Sequence, residues 1–251
     1  MSQAALYGIA SVLAVSLVSF IGLFTLSLST ALLNRGLLYM ISFSAGALFG
    51  DAFIHLLPEV VEEYGFGINI SLFILSGIVF SFVVEKFIHW RHCHHPTTSN
   101  HPHPFALMNL VGDGVHNLID GLIIGASYLI SIPVGFATTI AVVLHEIPQE
   151  IGDFGVLLHG GFSKKMALLL NFLTALVSFV GLFIALYLGV STENMTMFLI
   201  PFAAGNFIYI AGSDLIPELH KEVGVTKSLS QLLTFLLGIA IMFALLLVEM
   251  V

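Results

Sequence analysis

Long apolar segments recur along the whole chain, and they constrain its fold more than any other feature. The chain has 251 residues, of which 58% are hydrophobic and 9% charged, with a mean hydropathy of +1.04. Soluble domains carry roughly a quarter charged residues, and a helix needs about 20 apolar residues to cross a bilayer. Backbone groups in lipid must be satisfied within the segment, and strict polar–apolar alternation is absent, so helices are predicted rather than barrel strands. The sequence therefore predicts an all-α, multi-pass membrane protein.

The polar and Gly/Pro clusters divide the chain into eight predicted spans, which form a single membrane domain over residues 1–251. These spans cover 4–31, 37–58, 68–91, 105–130, 134–158, 165–190, 195–217 and 229–250. The first segment lacks the basic region and the small-residue cleavage site of a signal peptide, so it is predicted to be retained.

The basic residues predict the orientation. All seven lie in or beside alternate connections between the predicted spans: Arg35, Lys86, Arg91, Lys164, Lys165, Lys221 and Lys227. The positive-inside rule then places both termini outside and the 92–104 loop in the cytoplasm of a plasma or bacterial inner membrane. No basic patch exists that would bind nucleic acid, so nucleic acid is not expected as a partner.

Two segments of the chain echo each other. AGALFGDAFIHLLPE at 45–59 and AGNFIYIAGSDLIPE at 204–218 share an Ala-Gly start and a Pro-Glu end. They belong to spans that are predicted to run in opposite directions. This pattern predicts an inverted repeat, formed by spans 1–3 and 6–8 around the central spans 4 and 5, as in secondary transporters.

Spans 4 and 5 carry polar residues at mid-membrane depth. Those of span 4 stand at i, i+3, i+4 and i+7, which is one helical face, and those of span 5 form two adjacent stripes. The residues are Asp113, His116, Asn117 and Asp120 in span 4, and His145, Glu146, Gln149, Glu150 and Asp153 in span 5. An ionised group at that depth costs about 2.5–3.5 kcal/mol on insertion scales. The cluster is therefore expected to face another helix or water, with a cation that compensates the carboxylates.

The residue types in this cluster predict a metal site. Imidazole nitrogen with carboxylate and amide oxygen is a ligand set of Zn²⁺, and Fe²⁺ and Mn²⁺ also accept it. His116 and His145 each lie eleven residues into their spans, and each has a second ligand one turn further on, which is Asp120 or Gln149. Pro148 is predicted to break or kink span 5, because a proline removes one helical hydrogen bond.

A zinc-protease interpretation fails on the same segment. The metalloprotease motif needs His-Glu-x-x-His on one helix. Here the segment reads His-Glu-Ile-Pro-Gln from His145 to Gln149, so the second histidine is missing.

HNLIDGLIIGAS at 116–127 and HEIPQEIGDFGVLL at 145–158 resemble the paired signature of the ZIP family of divalent-metal transporters. The most similar subgroup reads His-Glu-Ile-Pro-His-Glu in its fifth helix, so a glutamine here replaces a histidine. The resemblance implies a binuclear site. Its first position would use His116, Asp120, His145 and Gln149, and its second would use Asn117, Asp120 and Glu146 with Asn171 from span 6.

The resemblance also implies that other polar residues lie along the path of the metal. They are Asp51 and His55 near the outer mouth; Glu85, His89 and Asp214 toward cytoplasmic release; and Asp113, Glu150, Asp153 and Glu218. The 92–104 loop is predicted to be disordered and to trap or sense metal through His92, Cys93, His94, His95, His101 and His103. The alternative is a polar linker whose histidines are incidental.

The sequence thus predicts a transporter that moves divalent metal ions, with Zn²⁺ first and Fe²⁺, Mn²⁺ or Cd²⁺ open, from outside into the cytoplasm. It is not expected to be an enzyme or to need a cofactor beyond the transported metal. Its expected partners are the metal and the lipid bilayer, and a homodimer is left open. Two alternatives remain: an intramembrane metal-dependent hydrolase with Glu146 as the base, and a metal sensor dominated by the His-rich loop.

Overall fold

All regular structure in the described part of the chain is helical, as predicted. The computed structural model describes residues 3–22, 30–92, 104–188 and 192–249, and the side chains of 3–22, 36–87, 104–140, 142–187 and 197–247. The α-helices are α1 (Gln3–Val18), α2 (Thr30–Gly50), α3 (Leu57–Tyr64), α4 (Ile68–His92), α5 (Pro104–Ile130), α6 (Ile132–His159), α7 (Lys164–Ala175), α8 (Val177–Leu188), α9 (Thr192–Tyr209), α10 (Ile216–Leu219) and α11 (Val225–Glu249).

Six helical stretches are long and apolar enough to cross a membrane. They are Gln3–Gly22, Gly36–Tyr64, Ile68–Phe87, Lys164–Tyr187, Met197–Leu219 and Val225–Leu247. Helices α5 and α6, which carry the polar faces, are not among these six within the described residues. The chain is therefore a multi-pass membrane protein, and the count of eight spans stays a prediction.

Three helix pairs approach so closely that only glycine fits between them. In the α5–α8 pair, a Cβ built at Gly121 would lie 1.8 Å from the Ser178 carbonyl oxygen, and one at Gly181 would lie 2.0 Å from that of Leu118. Reciprocal glycines join α2 to α11 and α4 to α9 in the same way: Gly46 with Gly238, and Gly77 with Gly205. Small residues let helix backbones approach in lipid, where hydrophobic attraction between helices is absent.

These contacts divide the helices into two groups. One contains α1, α5, α6, α7 and α8, and the other contains α2, α4, α9 and α11. The groups meet mainly where α6 packs on α2, with Gly152 against the side chain of Ser44 and Gly155 against that of Met40. A large apolar core lies between the groups and includes Leu48, Phe154 and Phe207. The polar residues of α5 and α6 therefore lie in the protein interior rather than in lipid.

The helix irregularities differ from the prediction. Helix α6 continues as α-helix through Pro148, so the helix is not broken there, and the alternative of a kink stays a prediction. Two six-residue π-helical segments occur elsewhere, at Asp51–Leu56 and Ile210–Leu215. Both end just before a Leu/Ile-Pro-Glu sequence, where proline cannot donate a hydrogen bond. They occupy equivalent positions in the two segments that echo each other, and π-segments are frequent at functional sites.

Replacement of Gly121 by alanine is expected to destabilise the protein, because the new methyl group would overlap the Ser178 carbonyl. Overpacking of this kind costs typically 1–3 kcal/mol, which corresponds to a loss of roughly 5 °C in Tm for a chain of this size. Thermal unfolding of the detergent-solubilised protein measures the shift. Gly114→Ala is the matched control on α5, since only Thr174 Cγ2 lies near its Cβ, at 3.9 Å. Equal Tm values for the two variants would contradict the close approach of α5 and α8.

Candidate metal centre

Helices α5 and α6 bring four metal-ligating side chains together. Only Ser131 separates the two helices, and its side chain accepts a hydrogen bond from the Val134 backbone N–H at 3.3 Å to cap α6. This tight turn makes the helices antiparallel neighbours. One ligating atom from each of four residues lies within 4.8 Å of all the others: His116, Asp120, His145 and Glu146. We call these four residues the ligand cluster.

The spacing of the ligand cluster suits a tetrahedral ion. His116 Nε2 lies 3.3 Å from Asp120 Oδ2 and 3.3 Å from Glu146 Oε1, and His145 Nε2 lies 3.5 Å from Asp120 Oδ2. Zinc binds nitrogen and oxygen at about 2.0–2.1 Å, so the ligands of a regular tetrahedron lie ~3.3–3.4 Å apart. The three measured separations are close to that value.

Apart from their contacts with one another, the atoms that face each other in the cluster make no hydrogen bonds with the described residues. They are His116 Nε2, Asp120 Oδ2, His145 Nε2 and Glu146 Oε1, all buried. A buried polar atom without a partner costs about 1–3 kcal/mol, and native proteins keep few of them. Four such atoms at one point are what a binding site for a divalent cation provides.

The surroundings of the cluster come from the other helix group. The His116 ring packs at 4.8 Å from the Phe207 ring of α9 and at 5.3 Å from the His145 ring. Asp51, at the start of the first π-segment, is buried and close enough to interact electrostatically with both imidazoles. His55 contacts the Met242 carbonyl oxygen at 2.8 Å through Nε2, and its Nδ1 lies 3.7 Å from Asp51 Oδ1. Both predicted path residues of this segment therefore lie within the protein.

Gln149, predicted as a ligand of the first position, lies one helical turn after His145 on α6. Its side chain lines a small cavity of about 10 Å³ with Asn109, Asp113 and Asp153, and its amide nitrogen has no hydrogen-bond partner among the described residues. A cavity of this size is near the minimum for one water molecule. Glu146, assigned by the resemblance to the second position, also lies close to the first, since its Oε1 is 3.3 Å from His116 Nε2.

Three carboxylates near the cluster each accept a hydrogen bond from an asparagine amide. The pairs are Asn117 Nδ2 to Asp113 Oδ1 at 2.7 Å, Asn171 Nδ2 to Glu150 Oε2 at 2.8 Å, and Asn109 Nδ2 to Asp153 Oδ1 at 2.9 Å. Sequence reasoning missed Asn109. It stands four residues before Asp113 on the same helical face, so extension of the polar stripe of α5 by one turn would have found it.

The remaining predicted path residues lie in α4, in the second π-segment and in α10. Glu85 accepts a hydrogen bond from the Tyr209 hydroxyl, which joins α4 to α9. Asp214 is buried in the second π-segment. Glu218 pairs with His159 of α6 at 3.2 Å and with Lys221. His89 and the loop residues from His92 to His103 lie outside the residues whose side chains the structure describes.

The fold and the site together define a class: an all-helical, multi-pass membrane protein with a buried cluster of imidazoles and carboxylates suited to a divalent metal. The chain belongs to the ZIP zinc transporter family, whose model matches residues 2–106 and 103–246.

Individual relatives agree with this assignment. The chain is 30% identical to zinc transporter zipt-7.1 of Caenorhabditis briggsae over 84% of this chain and 71% of that protein. It is 33% identical to zinc transporter ZIP13 of Pongo abelii over 81% of this chain and 65% of that protein. The match to mouse zinc transporter ZIP10 is 39% identical but covers 57% of this chain and 18% of the relative.

The family assignment confirms several predictions. The resemblance to ZIP transporters is confirmed, and the relatives are named as transporters rather than enzymes, which also confirms that the chain is not an enzyme. The chain is a divalent-metal transporter of a membrane. The more specific likeness to the His-Glu-Ile-Pro-His-Glu subgroup stays a prediction.

Proposed function

We propose that this chain moves Zn²⁺, or a related divalent ion such as Cd²⁺, Fe²⁺ or Mn²⁺, from outside into the cytoplasm through the ligand cluster. The observation that carries the proposal is the convergence of four buried ligating atoms without hydrogen bonds between α5 and α6. A hydrated ion would exchange water for two imidazoles and two carboxylates, whose negative charge offsets the cost of the low dielectric. All four ligands come from one chain, so a monomer and a homodimer would transport alike.

A second ion is proposed beside the first. The resemblance to the family places it on Asn117, Asp120, Glu146 and Asn171. In support, Asn117 and Asn171 are fully buried, and the side-chain oxygen of each has no hydrogen-bond partner among the described residues. Amide oxygens suit harder ions than imidazole does. The site is then binuclear, with Asp120 and Glu146 shared between the two ions.

The two helix groups are proposed to move against each other to release the ion. Within each group the backbones are joined through paired glycines, whereas α6 meets α2 mainly through side chains. Rocking at the α2–α6 contact would therefore disturb the fewest close contacts. The matching π-segments at Asp51–Leu56 and Ile210–Leu215 support an inverted repeat, which is how transporters of this kind generate two opposed states.

The direction of transport follows from the proposed topology. Eight spans with the basic residues in alternate connections would leave the termini outside and the 92–104 loop inside. Helix α5 would then run outward from Pro104, so the cavity lined by Asp113, Gln149 and Asp153 would lie on the cytoplasmic side of the ligand cluster. Asp51 and His55, with Glu85, Asp214 and Glu218, are proposed to line the two ends of the path. His89 and the histidines of the loop would extend it into the cytoplasm.

Metal uptake by reconstituted vesicles tests the proposal. Purified protein in liposomes that contain a zinc-sensitive dye should take up Zn²⁺ at least tenfold faster than protein-free liposomes. Vesicles that fill no faster than the protein-free control would contradict the proposed function. Lipid or peptide turnover without uptake would instead favour the intramembrane hydrolase.

A further inference from the structure

Three buried carboxylates of α5 and α6 are not explained by the ligand cluster. Asp113, Glu150 and Asp153 form no ion pair with a lysine or arginine of the described residues. Each instead accepts a hydrogen bond from one asparagine amide, at 2.7, 2.8 and 2.9 Å respectively. Buried acids in a membrane protein are costly and normally serve function, so these pairs call for a role.

The chemistry of the asparagine amide suggests a role for these carboxylates. A carboxamide carries an oxygen that can bind metal and an NH₂ group that cannot, and rotation of the group by 180° exchanges the two. A carboxyl oxygen that accepts a hydrogen bond from the NH₂ group holds that group toward itself and turns the amide oxygen to the opposite side.

This orientation is present at both asparagines assigned to the second ion. Asn117 gives its NH₂ group to Asp113, and Asn171 gives its NH₂ group to Glu150. The oxygens Asn117 Oδ1 and Asn171 Oδ1 have no hydrogen-bond partner among the described residues. Each acid thus leaves one buried amide oxygen available to a cation.

We propose that Asp113 and Glu150 are positioning residues, which lock the amides of Asn117 and Asn171 with their oxygens presented to the second metal ion. This inference rests on the proposed two-ion site. It assigns the two acids a role in holding ligands rather than in binding the ion themselves. Asp113 and Glu150 would ensure that each asparagine offers its oxygen to the second ion. The alternative rotamer of either asparagine would present its NH₂ group to the cation instead.

Asp113→Asn and Glu150→Gln are each expected to lower the affinity for the second ion by about 10- to 100-fold. This is the usual effect of removing a partner that orients a metal ligand. A neutral amide at either position both donates and accepts, so it no longer selects one rotamer of its asparagine. Binding of the first ion should stay within about twofold of the wild type, because the four cluster residues are unchanged. Calorimetric titration of the purified, detergent-solubilised chain with Zn²⁺ measures both steps.

Asp153→Asn is the matched control for this titration. It makes the same acid-to-amide change at a buried carboxylate that holds an asparagine. Its partner, Asn109, lies seven residues before His116, or about 10 Å along the helix axis, and is not a proposed ligand. This variant should still bind two ions. The double variant Asp113→Asn with Asn117→Asp should regain the second ion, since a carboxylate at 117 presents oxygen in either rotamer.

The outcomes separate this inference from the proposed function. Loss of the second ion in Asp113→Asn and Glu150→Gln, with two ions in Asp153→Asn and in the double variant, is the result we expect. Two ions with wild-type affinity in all variants would overturn the positioning role while leaving the two-ion site intact. An equal loss of second-ion binding in Asp153→Asn would also overturn the positioning role, because the effect would then follow from the removal of any buried acid in this region. A wild type that binds only one ion would overturn the two-ion site, and the inference with it.

Discussion

Vesicles that carry His116→Ala or Glu146→Ala should take up Zn²⁺ at least about 100-fold more slowly than vesicles with the wild-type protein. His116 Nε2 contacts carboxylate oxygens of both Asp120 and Glu146 at 3.3 Å, so each substitution removes one corner of the ligand cluster. Loss of an orienting partner alone costs 10–100-fold in metal affinity, and loss of a ligand should cost more. Initial rates of dye-reported uptake at equal protein content measure the effect.

Two substitutions of the same residue types outside the site serve as controls. His220 is exposed between α10 and α11, so His220→Ala should transport normally. Glu222 accepts a hydrogen bond from Lys227 at 2.8 Å, and that bond holds the pKa of Glu222 below its usual range. An ion pair of this exposed kind is worth little, so Glu222→Gln should also leave uptake unchanged. Uptake at the wild-type rate by the His116 and Glu146 variants would show that the cluster is not the transport site.

The metal-sensor alternative makes the opposite prediction. It requires that deletion of the His-rich loop at 92–104 abolishes function, whereas a histidine of the cluster such as His145 can be lost. A transporter built on the cluster should keep most of its uptake without the loop and lose it without His145.

Gln149→His should raise the preference for Zn²⁺ over Mn²⁺ by about tenfold or more. Gln149 lies one helical turn from His145 and lines the small cavity beside the cluster. A neutral amide is a weak ligand, whereas imidazole binds Zn²⁺ well and Mn²⁺ poorly. The ratio of the two initial uptake rates, measured in the same vesicle preparation, reports the change. Higher acidity should weaken binding in this variant more than in the wild type, since a further imidazole must be neutral to bind.

Gln149→Glu is the control that separates ligand type from geometry. It keeps an oxygen ligand at the same place and adds a negative charge, which favours hard ions such as Mn²⁺. The Zn²⁺ preference should therefore rise with histidine and not with glutamate. A ratio that is unchanged in both variants would place residue 149 outside the path of the metal.

The polar residues of α5 show how far sequence reasoning reaches. Their spacing put Asp113, His116 and Asp120 on one face, and the matching depth of His145 followed from counting residues from each span end. Both inferences depend on helix geometry within a segment, which is a local property. The cost of charge in lipid then required these faces to meet. In the structure, His116 and Asp120 lie against His145 and Glu146 of α6, and Asp113 lines a cavity with Gln149 and Asp153 of α6.

The choice between Glu146 and Gln149 shows where such reasoning stops. Glu146 and Gln149 are three residues apart and therefore point only about 60° apart around the helix, so a small rotation of α6 decides which of its polar residues lies closer to His116. Nothing local to the segment sets that rotation. In the structure it follows from the packing of α6 on α2, where Gly152 and Gly155 admit Ser44 and Met40.

The sequence by itself determined that this chain is a helical membrane protein with a polar face of imidazole, carboxylate and amide groups on each of two neighbouring helices, because hydropathy and helical period act within single segments. The tertiary structure alone decided which four atoms converge, which acids hold which amides, and that the π-segments rather than Pro148 interrupt the helices. Those features depend on the rotation and relative height of helices far apart in the chain. Interhelical packing sets both, through contacts as close as that of Gly121 with Ser178.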